Sequence, residues 1–269
     1  MNGGVTAFTA RGASRPAAGP DALLAIAHGS RDPRHAAALH ALLGAVSAAR
    51  PDLLVGLGFL GLCGPSVPAQ LARLAARGAR SVAVVPLFLA HGYHVRHDVP
   101  AVLAEAAGQL RRPPRLSVTP PLGPDPSLID ALGRKLRESG ADGTGTAVIL
   151  ASAGSSDPTA RAEVQRVARA WRARERRAVS CAYASAGGPT TAQEISALRS
   201  RGAGRIAVAS YFLAPGFLPD RVEADAHRAA VPVAAPFTCA DHAPAAELVD
   251  LVLARHAGTG RGREASAAA

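Results

Sequence analysis

Three histidines within seven residues directly follow a continuous apolar run of the chain. The run, Val82–Ala90, is too short to cross a membrane and is typical of a buried parallel strand. His91, His94 and His97 come next, and Asp98 follows them. In open α/β sheets, ligands bind outside the carboxyl ends of the strands. These side chains are therefore candidates for catalysis or metal binding.

A further histidine, His28, ends a second apolar run, Leu23–Ala27, and precedes a turn that contains Ser30. The carboxyl ends of parallel strands line one edge of a sheet, so His28 and His94 are predicted to converge. Two imidazoles facing one crevice suit Fe²⁺, Co²⁺, Ni²⁺ or Zn²⁺. Because no four ligands have the spacing of a closed zinc site, we expect an open site that binds metal transiently.

Asp98 lies four residues after His94, a separation that brings two side chains to one face of a helical turn. It can orient the imidazole through a hydrogen bond, or it can be a charge favoured at a helix N-terminus. The histidines on or beside predicted helices are interpreted as surface or hydrogen-bonded core residues. They are His35, His40, His227, His242 and His256.

Apolar periodicity and capping residues predict alternating strands and helices in the first half of the chain. The predicted strands are Leu23–Ala27, Leu53–Leu60, a strand that starts at Val82, and Leu116–Thr119. The predicted helices are Pro33–Ala49, Ser66–Arg77, Val99–Leu110 and Ser127–Glu138. This order is typical of a four-stranded parallel sheet flanked by helices.

The second half repeats the first at a nearly constant offset, which indicates duplicated domains. Ile149–Pro158 matches Leu24–Pro33, and Gly202–Gly216 matches Gly78–Gly92. In the copy, Ala153, Pro215 and Leu218 replace His28, His91 and His94. The sequence therefore predicts a catalytic N-terminal half and a second half that closes the cleft.

The predicted fold is α/β, with two similar domains that each hold a four-stranded parallel sheet, and a cleft between them. The predicted segments are a disordered leader at 1–20, an N-terminal domain at 21–139, a Gly-rich linker at 140–145, a C-terminal domain at 146–256 and a disordered tail at 257–269.

The charge, the apolar stretches and the cysteines of the chain indicate which classes of binding partner to expect. The net charge of +10 would attract a polyanion, but no aromatic-basic module indicates a nucleic-acid binder. No stretch has the roughly 20 apolar residues of a membrane-spanning helix, so no membrane partner is expected. Cys63, Cys181 and Cys239 lie far apart without a Cys-x-x-Cys pair, which favours a reducing cytoplasm over a disulfide framework.

The two motifs together resemble a known family. Ala27-His-Gly-Ser30, with Pro86-Leu-Phe-Leu and the later His94, Asp98 and Pro100, is similar to the sirohydrochlorin chelatases of the cobalamin and sirohaem pathways. These are relatives of the class II chelatases, which include protoporphyrin ferrochelatase. The resemblance covers about Leu23 to Val252.

The resemblance implies that a tetrapyrrole, sirohydrochlorin, binds in the cleft and that His28 and His94 handle both metal and protons. Fe²⁺ or Co²⁺ would be a substrate, with no permanently bound cofactor, and insertion would release two pyrrole protons. Ser30, His91, His97 and Asp98 are possible auxiliary residues. Arg31, Arg34 and Arg96 stand beside the motifs and would bind the substrate carboxylates.

One position departs from the family. Many members carry an acidic residue after the Phe-Leu of the second strand, and Gly61 stands there in this chain. The resemblance therefore leaves a role of that carboxylate in metal delivery open, as it leaves the roles of His91 and His97 open. Because one chain supplies both halves, a monomer is expected.

The same histidines are compatible with two other functions. A non-catalytic metal carrier could use the same histidines. A phosphoryl-transfer enzyme like the histidine phosphatases could use His28 as nucleophile, but those enzymes have Arg before the histidine, where this chain has Ala27. The choice among Fe²⁺, Co²⁺ and Ni²⁺, and between the two pathways, stays open.

Overall fold

The computed structural model describes residues 21–266, and it describes side chains as far as residue 258. The predicted disordered leader at 1–20 and residues 267–269 lie outside the described residues. None of the helices within 21–266 combines the length and the apolar character needed to cross a membrane.

Strands and helices alternate along the chain as predicted, with boundaries in the first half within two residues of the predicted ones, except that β3 ends at Pro86, before the apolar run does at Ala90. The strands are β1 Ala22–Ala27, β2 Leu54–Phe59, β3 Ser81–Pro86, β4 Arg115–Val118, β5 Ala147–Ser152, β6 Val179–Tyr183, β7 Ile206–Ser210 and β8 Val233–Ala234. The helices are α1 Pro33–Ala49, α2 Val67–Ala76, α3 Val99–Gly108, α4 Pro126–Glu138, α5 Pro158–Glu175, α6 Thr191–Ser200, α7 Phe217–Arg228 and α8 Ala246–Ser266.

Two four-stranded parallel sheets have the same topology. The first has the order β2-β1-β3-β4 and the second β6-β5-β7-β8. Every paired strand is parallel to its neighbours. The α/β class, the parallel sheets and the duplication predicted from the sequence are therefore confirmed.

The repeated motif Gly-Ser-x-Asp-Pro has the same local structure in both halves. Asp32 caps α1 by accepting a hydrogen bond from the Arg34 amide, and Asp157 caps α5 by accepting one from the Thr159 amide. A proline opens each helix, where its missing N–H has no intrahelical partner to lose. The motif thus sets a sharp strand-to-helix turn at the carboxyl edge of each sheet.

The apolar core has three layers. A central cluster fills the space between the sheets and includes Leu23 of β1, Leu39 of α1 and Trp171 of α5. One outer cluster lies between the first sheet and helices α2 and α3. The other lies between the second sheet and helices α6 and α7. Because the central cluster joins both halves, the two lobes share one core.

The last helix of each half packs on the other half. Helix α4 lies against β7 and β8, whereas α8 lies against α1 and β3. The two exchanged helices also meet, since Arg134 Nε donates to Glu247 Oε1 at 3.0 Å. The predicted domains 21–139 and 146–256 thus each hold one sheet, but each relies on the other for a helix. Moreover, α8 continues without a break past residue 256, where the sequence predicted a disordered tail.

Candidate active site

A cleft of about 620 Å³ lies between the carboxyl edges of the two sheets. The loops that follow β1, β3, β5 and β7 line it, so both lobes contribute. Its volume falls in the usual range for a small-molecule site. A smaller cavity of about 380 Å³ lies at the opposite edge of the second sheet, near Thr146 and Arg205, and its lining includes no histidine.

His28 and His94 meet in this cleft. Their ring centroids are 4.5 Å apart and the rings are edge to face, at 68°. His28 follows the last residue of β1, and His94 opens a π-helical turn, His94–Asp98, between β3 and α3. The convergence that the sequence predicted from parallel-strand geometry is therefore present.

The hydrogen bonds of the two rings leave one nitrogen of each available. His94 Nδ1 lies 2.5 Å from Asp98 Oδ2, and His28 Nδ1 lies 3.1 Å from the Gly29 carbonyl oxygen. Both oxygens are acceptors, so in a neutral ring each Nδ1 carries the proton and each Nε2 keeps its lone pair. In that form the pair presents two nitrogen lone pairs that can bind a metal ion or accept a proton.

The π-helical turn explains how Asp98 reaches its partner. The turn places residue 98 beside residue 94, and both side chains are only partly exposed. Asp98 makes no hydrogen bond as a helix cap. Of its two expected roles, the structure places it in contact with the imidazole.

The other predicted auxiliary residues have different partners. His91 donates its backbone N–H to Glu163 Oε2 at 2.6 Å, and its Nδ1 lies 3.2 Å from Glu163 Oε1. His97 is exposed and its ring lies 4.6 Å from the ring of Tyr93. Ser30 lines the cleft, where its hydroxyl accepts from the Asp32 amide at 3.0 Å.

Two of the three predicted carboxylate-binding arginines are already paired with carboxylates of the protein. Arg34 Nη2 lies 2.5 Å from Asp220 Oδ2, and Arg96 pairs with Asp157. Both pairs join the first lobe to the second. Arg31 is exposed and does not line the cleft. The arginines thus lie at the rim of the cleft rather than inside it.

His35 lies closer to the site than the sequence suggested. It lines the cleft, and burial lowers the pKa of its imidazole below the ordinary value of 6.5, while a hydrogen bond from the imidazole to the Pro215 carbonyl oxygen opposes this effect. Tyr211, from the other lobe, donates its hydroxyl to the Leu89 carbonyl oxygen at 3.1 Å. Burial raises the pKa of this phenol, so it remains a donor.

The second lobe lines the cleft without imidazoles. Ala153, Pro215 and Leu218 line it at the positions that match His28, His91 and His94. Among the side chains described, those of residues 21–258, no group of three or more His, Cys, Asp or Glu is placed to hold a metal ion. A metal ion bound by the His28–His94 pair would have most of its coordination positions left for other ligands.

A family model described as CbiX matches residues 22–139 and 147–259. The chain belongs to the CbiX family. The two matched segments correspond to the two halves of the sequence repeat; the first includes all of α4 and the second the part of α8 up to residue 259.

Named relatives and a solved structure agree with this assignment. Sirohydrochlorin ferrochelatase of Bacillus subtilis strain 168 is 26% identical over 209 residues, which are 77% of this chain and 79% of the relative. Sirohydrochlorin cobaltochelatase of Priestia megaterium is 27% identical over 212 residues, which are 75% and 67% of the two chains. SirB from Bacillus subtilis with Fe³⁺ has the same fold, with a TM-score of 0.76, 24% identity and coverage of 91% and 97%.

Sequence reasoning missed one buried acid beside the cleft of this CbiX-family protein. Glu163 of α5 is 6% exposed and reaches across to His91 of the first lobe. A signal existed, because Glu163 interrupts the apolar face that α5 forms with Ala160, Val164 and Val167. A carboxylate in such a position is rarely buried without a partner.

Proposed function

We propose that this CbiX-family protein is a sirohydrochlorin chelatase, a lyase-type enzyme that inserts Fe²⁺ or Co²⁺ into sirohydrochlorin in sirohaem or cobalamin biosynthesis. The observation that carries the proposal is the pair of imidazoles, His28 and His94, in a cleft between two lobes. Relatives that cover most of the chain are named for this reaction with iron and with cobalt.

The reaction requires a partly desolvated metal and the removal of two pyrrole protons. Neutral imidazole binds these metals and accepts protons near pH 7. The free Nε2 atoms of His28 and His94 supply both functions, as metal ligands and as proton acceptors. Asp98 holds the His94 ring in the tautomer that keeps this nitrogen unprotonated.

A weak metal site suits a metal that is a substrate. A cage of three or four protein ligands would retain the ion, whereas two imidazoles leave positions for water and then for the pyrrole nitrogens. We therefore propose that the ion passes from His28 and His94 to the tetrapyrrole, with no permanently bound cofactor.

The arginines at the rim are proposed to meet the carboxylates of sirohydrochlorin. Arg34 and Arg96 pair with Asp220 and Asp157, so a substrate carboxylate must compete with these aspartates. Both pairs are solvent-accessible, and exposed ion pairs contribute only about 0–1 kcal/mol, so exchange is feasible. The third arginine, Arg31, is free to contribute long-range attraction from its exposed position.

We further propose that the enzyme acts as a cytoplasmic monomer. One chain supplies both lobes and the whole cleft. All three cysteines are free, as in a reducing compartment.

The test is metal insertion followed by the change in the absorption spectrum of sirohydrochlorin. We expect His28→Ala and His94→Ala each to lower the rate by at least about 100-fold, because each removes a metal ligand and proton acceptor. His227→Ala is the matched control, since His227 is exposed on α7 away from the cleft lining. Activity within a few-fold of wild type in both cleft variants would refute the assignment.

The same assay separates a chelatase from a non-catalytic metal carrier. A carrier binds Co²⁺ but neither binds sirohydrochlorin nor changes its spectrum. A chelatase does both, and it turns over many equivalents of tetrapyrrole.

A further inference from the structure

Two exposed aromatic side chains stand at the mouth of the cleft, one from each lobe. Tyr93 is 60% exposed and Phe217 is 71% exposed, and both line the cleft. In the part of the chain whose side chains are described, two other large apolar side chains are comparably exposed, Leu62 and Val118, and neither lines the cleft. Single exposed apolar residues are common on proteins, but a pair at one opening marks a contact surface.

The two aromatics occupy equivalent positions in the duplicated halves. Tyr93 follows Gly92 after β3, and Phe217 follows Gly216 after β7. One residue further on, His94 has been replaced by Leu218, so the copy kept the ring although it lost the imidazole. This pattern indicates that the rings serve a contact common to both lobes and independent of metal chemistry.

Each loop reaches the opposite lobe just before its aromatic residue. A Cβ atom added at Gly92 would lie 3.9 Å from Ala160 of α5, and one added at Gly216 would lie 3.9 Å from the Ser30 hydroxyl. The rings therefore emerge from the seam where the lobes touch, on two sides of one opening.

The neighbours of the rings match the parts of a tetrapyrrole. Tyr93 lies 6.3 Å from the His94 ring, edge to face. The Arg221 guanidinium lies 6.0 Å from the centre of the Phe217 ring. A conjugated plane held at Tyr93 would bring its nitrogens near His94, while a peripheral carboxylate near Phe217 would meet Arg221.

We propose that Tyr93 and Phe217 are substrate-positioning residues that hold the conjugated plane of the tetrapyrrole between the lobes by aromatic stacking. The inference rests on the proposed function, because it assumes a tetrapyrrole substrate. Stacking of this kind changes affinity by about tenfold per ring.

The test is a titration of wild type and variants with metal-free sirohydrochlorin, followed by absorbance and by quenching of its fluorescence. Tyr93→Ala and Phe217→Ala each raise Kd about tenfold, and the double variant raises it further. Tyr93→Phe keeps the ring and stays within about twofold of wild type. Leu62→Ala removes an equally exposed apolar side chain outside the cleft and changes nothing. Binding of Co²⁺ alone stays unchanged in all of them.

The outcomes separate the inference from the proposed function. If wild type binds sirohydrochlorin and the alanine variants bind it equally well, the stacking inference is wrong while the chelatase proposal stands. If Tyr93→Phe loses as much affinity as Tyr93→Ala, the hydroxyl and not the ring makes the contact, and the inference is overturned. If wild type itself binds no sirohydrochlorin, both fail.

Discussion

Substitution of Gly29 by alanine should damage both stability and activity, because the backbone of the first motif leaves no room for a Cβ atom. Gly29 has a φ of +93°, and the added Cβ would lie 1.9 Å from the Gly61 carbonyl oxygen and 3.3 Å from Cys63 Sγ. The Gly61 backbone cannot retreat freely, since its N–H donates to the His28 carbonyl oxygen at 3.1 Å. Any relief of the clash therefore moves His28.

Two control glycines separate the contributions to this effect. Gly78 has nearly the same φ, +90°, but open space around it, so Gly78→Ala measures the left-handed backbone alone. The strain is about 1–2 kcal/mol, and it is partly offset because alanine lowers the conformational entropy of the unfolded chain. Gly44 lies in the exposed face of α1 with nothing within 4 Å, and alanine there should stabilise by about 0.5–1 kcal/mol. Gly29→Ala adds overpacking of about 1–3 kcal/mol to the same backbone strain, for a total loss of about 2–5 kcal/mol before the same unfolded-chain offset.

Urea denaturation gives the free energies of unfolding, and the chelation assay at a temperature where all variants are folded gives the activities. Gly154→Ala is the matched variant in the second lobe, with a φ of +83° and a Cβ that would lie 2.3 Å from the Ala186 carbonyl oxygen. It should lose similar stability but less activity, because no imidazole precedes it. Equal stability of Gly29→Ala and Gly78→Ala would refute the close approach to Gly61.

Three further predictions concern the surroundings of the histidines. Asp98→Asn should lower kcat by about 10- to 100-fold without unfolding the protein, because the neutral amide accepts a weaker hydrogen bond than the carboxylate and can also donate to Nδ1, which favours the wrong tautomer of His94. Unchanged kcat would contradict this role. Glu163→Ala should lower the free energy of unfolding by about 1–3 kcal/mol, because it leaves the His91 N–H unpaired. Glu163→Gln should recover part of this loss. Equal urea midpoints for the two variants would contradict the prediction. Burial lowers the pKa of His35, so the unfolded chain binds a proton more readily, and stability should fall as pH drops below about 6.5 toward the folded-state pKa. His35→Gln should reduce the loss of stability between pH 7.5 and pH 5.5, measured as the difference between the urea midpoints at these two pH values. If the variant shows the same difference as wild type, other groups cause the loss.

Local signals in the sequence were sufficient to predict the helices and strands of the first half and the pairing of His28 with His94. Helix α1 begins and ends where its periodicity predicted, and Ser66 caps α2 as expected, accepting from the Ala69 amide. His28 and His94 could be paired because parallel strands end at one edge. These features depend on neighbours in sequence or on a general rule of sheet geometry, so a single chain is enough to infer them.

The partners of the auxiliary residues could not be inferred in this way. Arg34 and Arg96 had the type and position of carboxylate ligands, yet the structure pairs them with Asp220 and Asp157 of the second lobe. His91 likewise finds Glu163, which no local pattern connects to it. Each contact depends on how the lobes are rotated relative to one another, and residue type carries no information on that angle.

The residues alone thus determined the repeated α/β units, the sharp turns that begin with Gly29 and Gly154, and the two imidazoles at one sheet edge. Tertiary structure decided the exchange of α4 and α8, the ion pairs that span the seam, and the aromatic side chains left at its mouth. The physical reason is the sequence separation over which the interactions act. Hydrogen-bonded turns and apolar periodicity act over a few residues, whereas lobe packing balances many weak contacts between distant segments, and only the folded chain shows which of them are made.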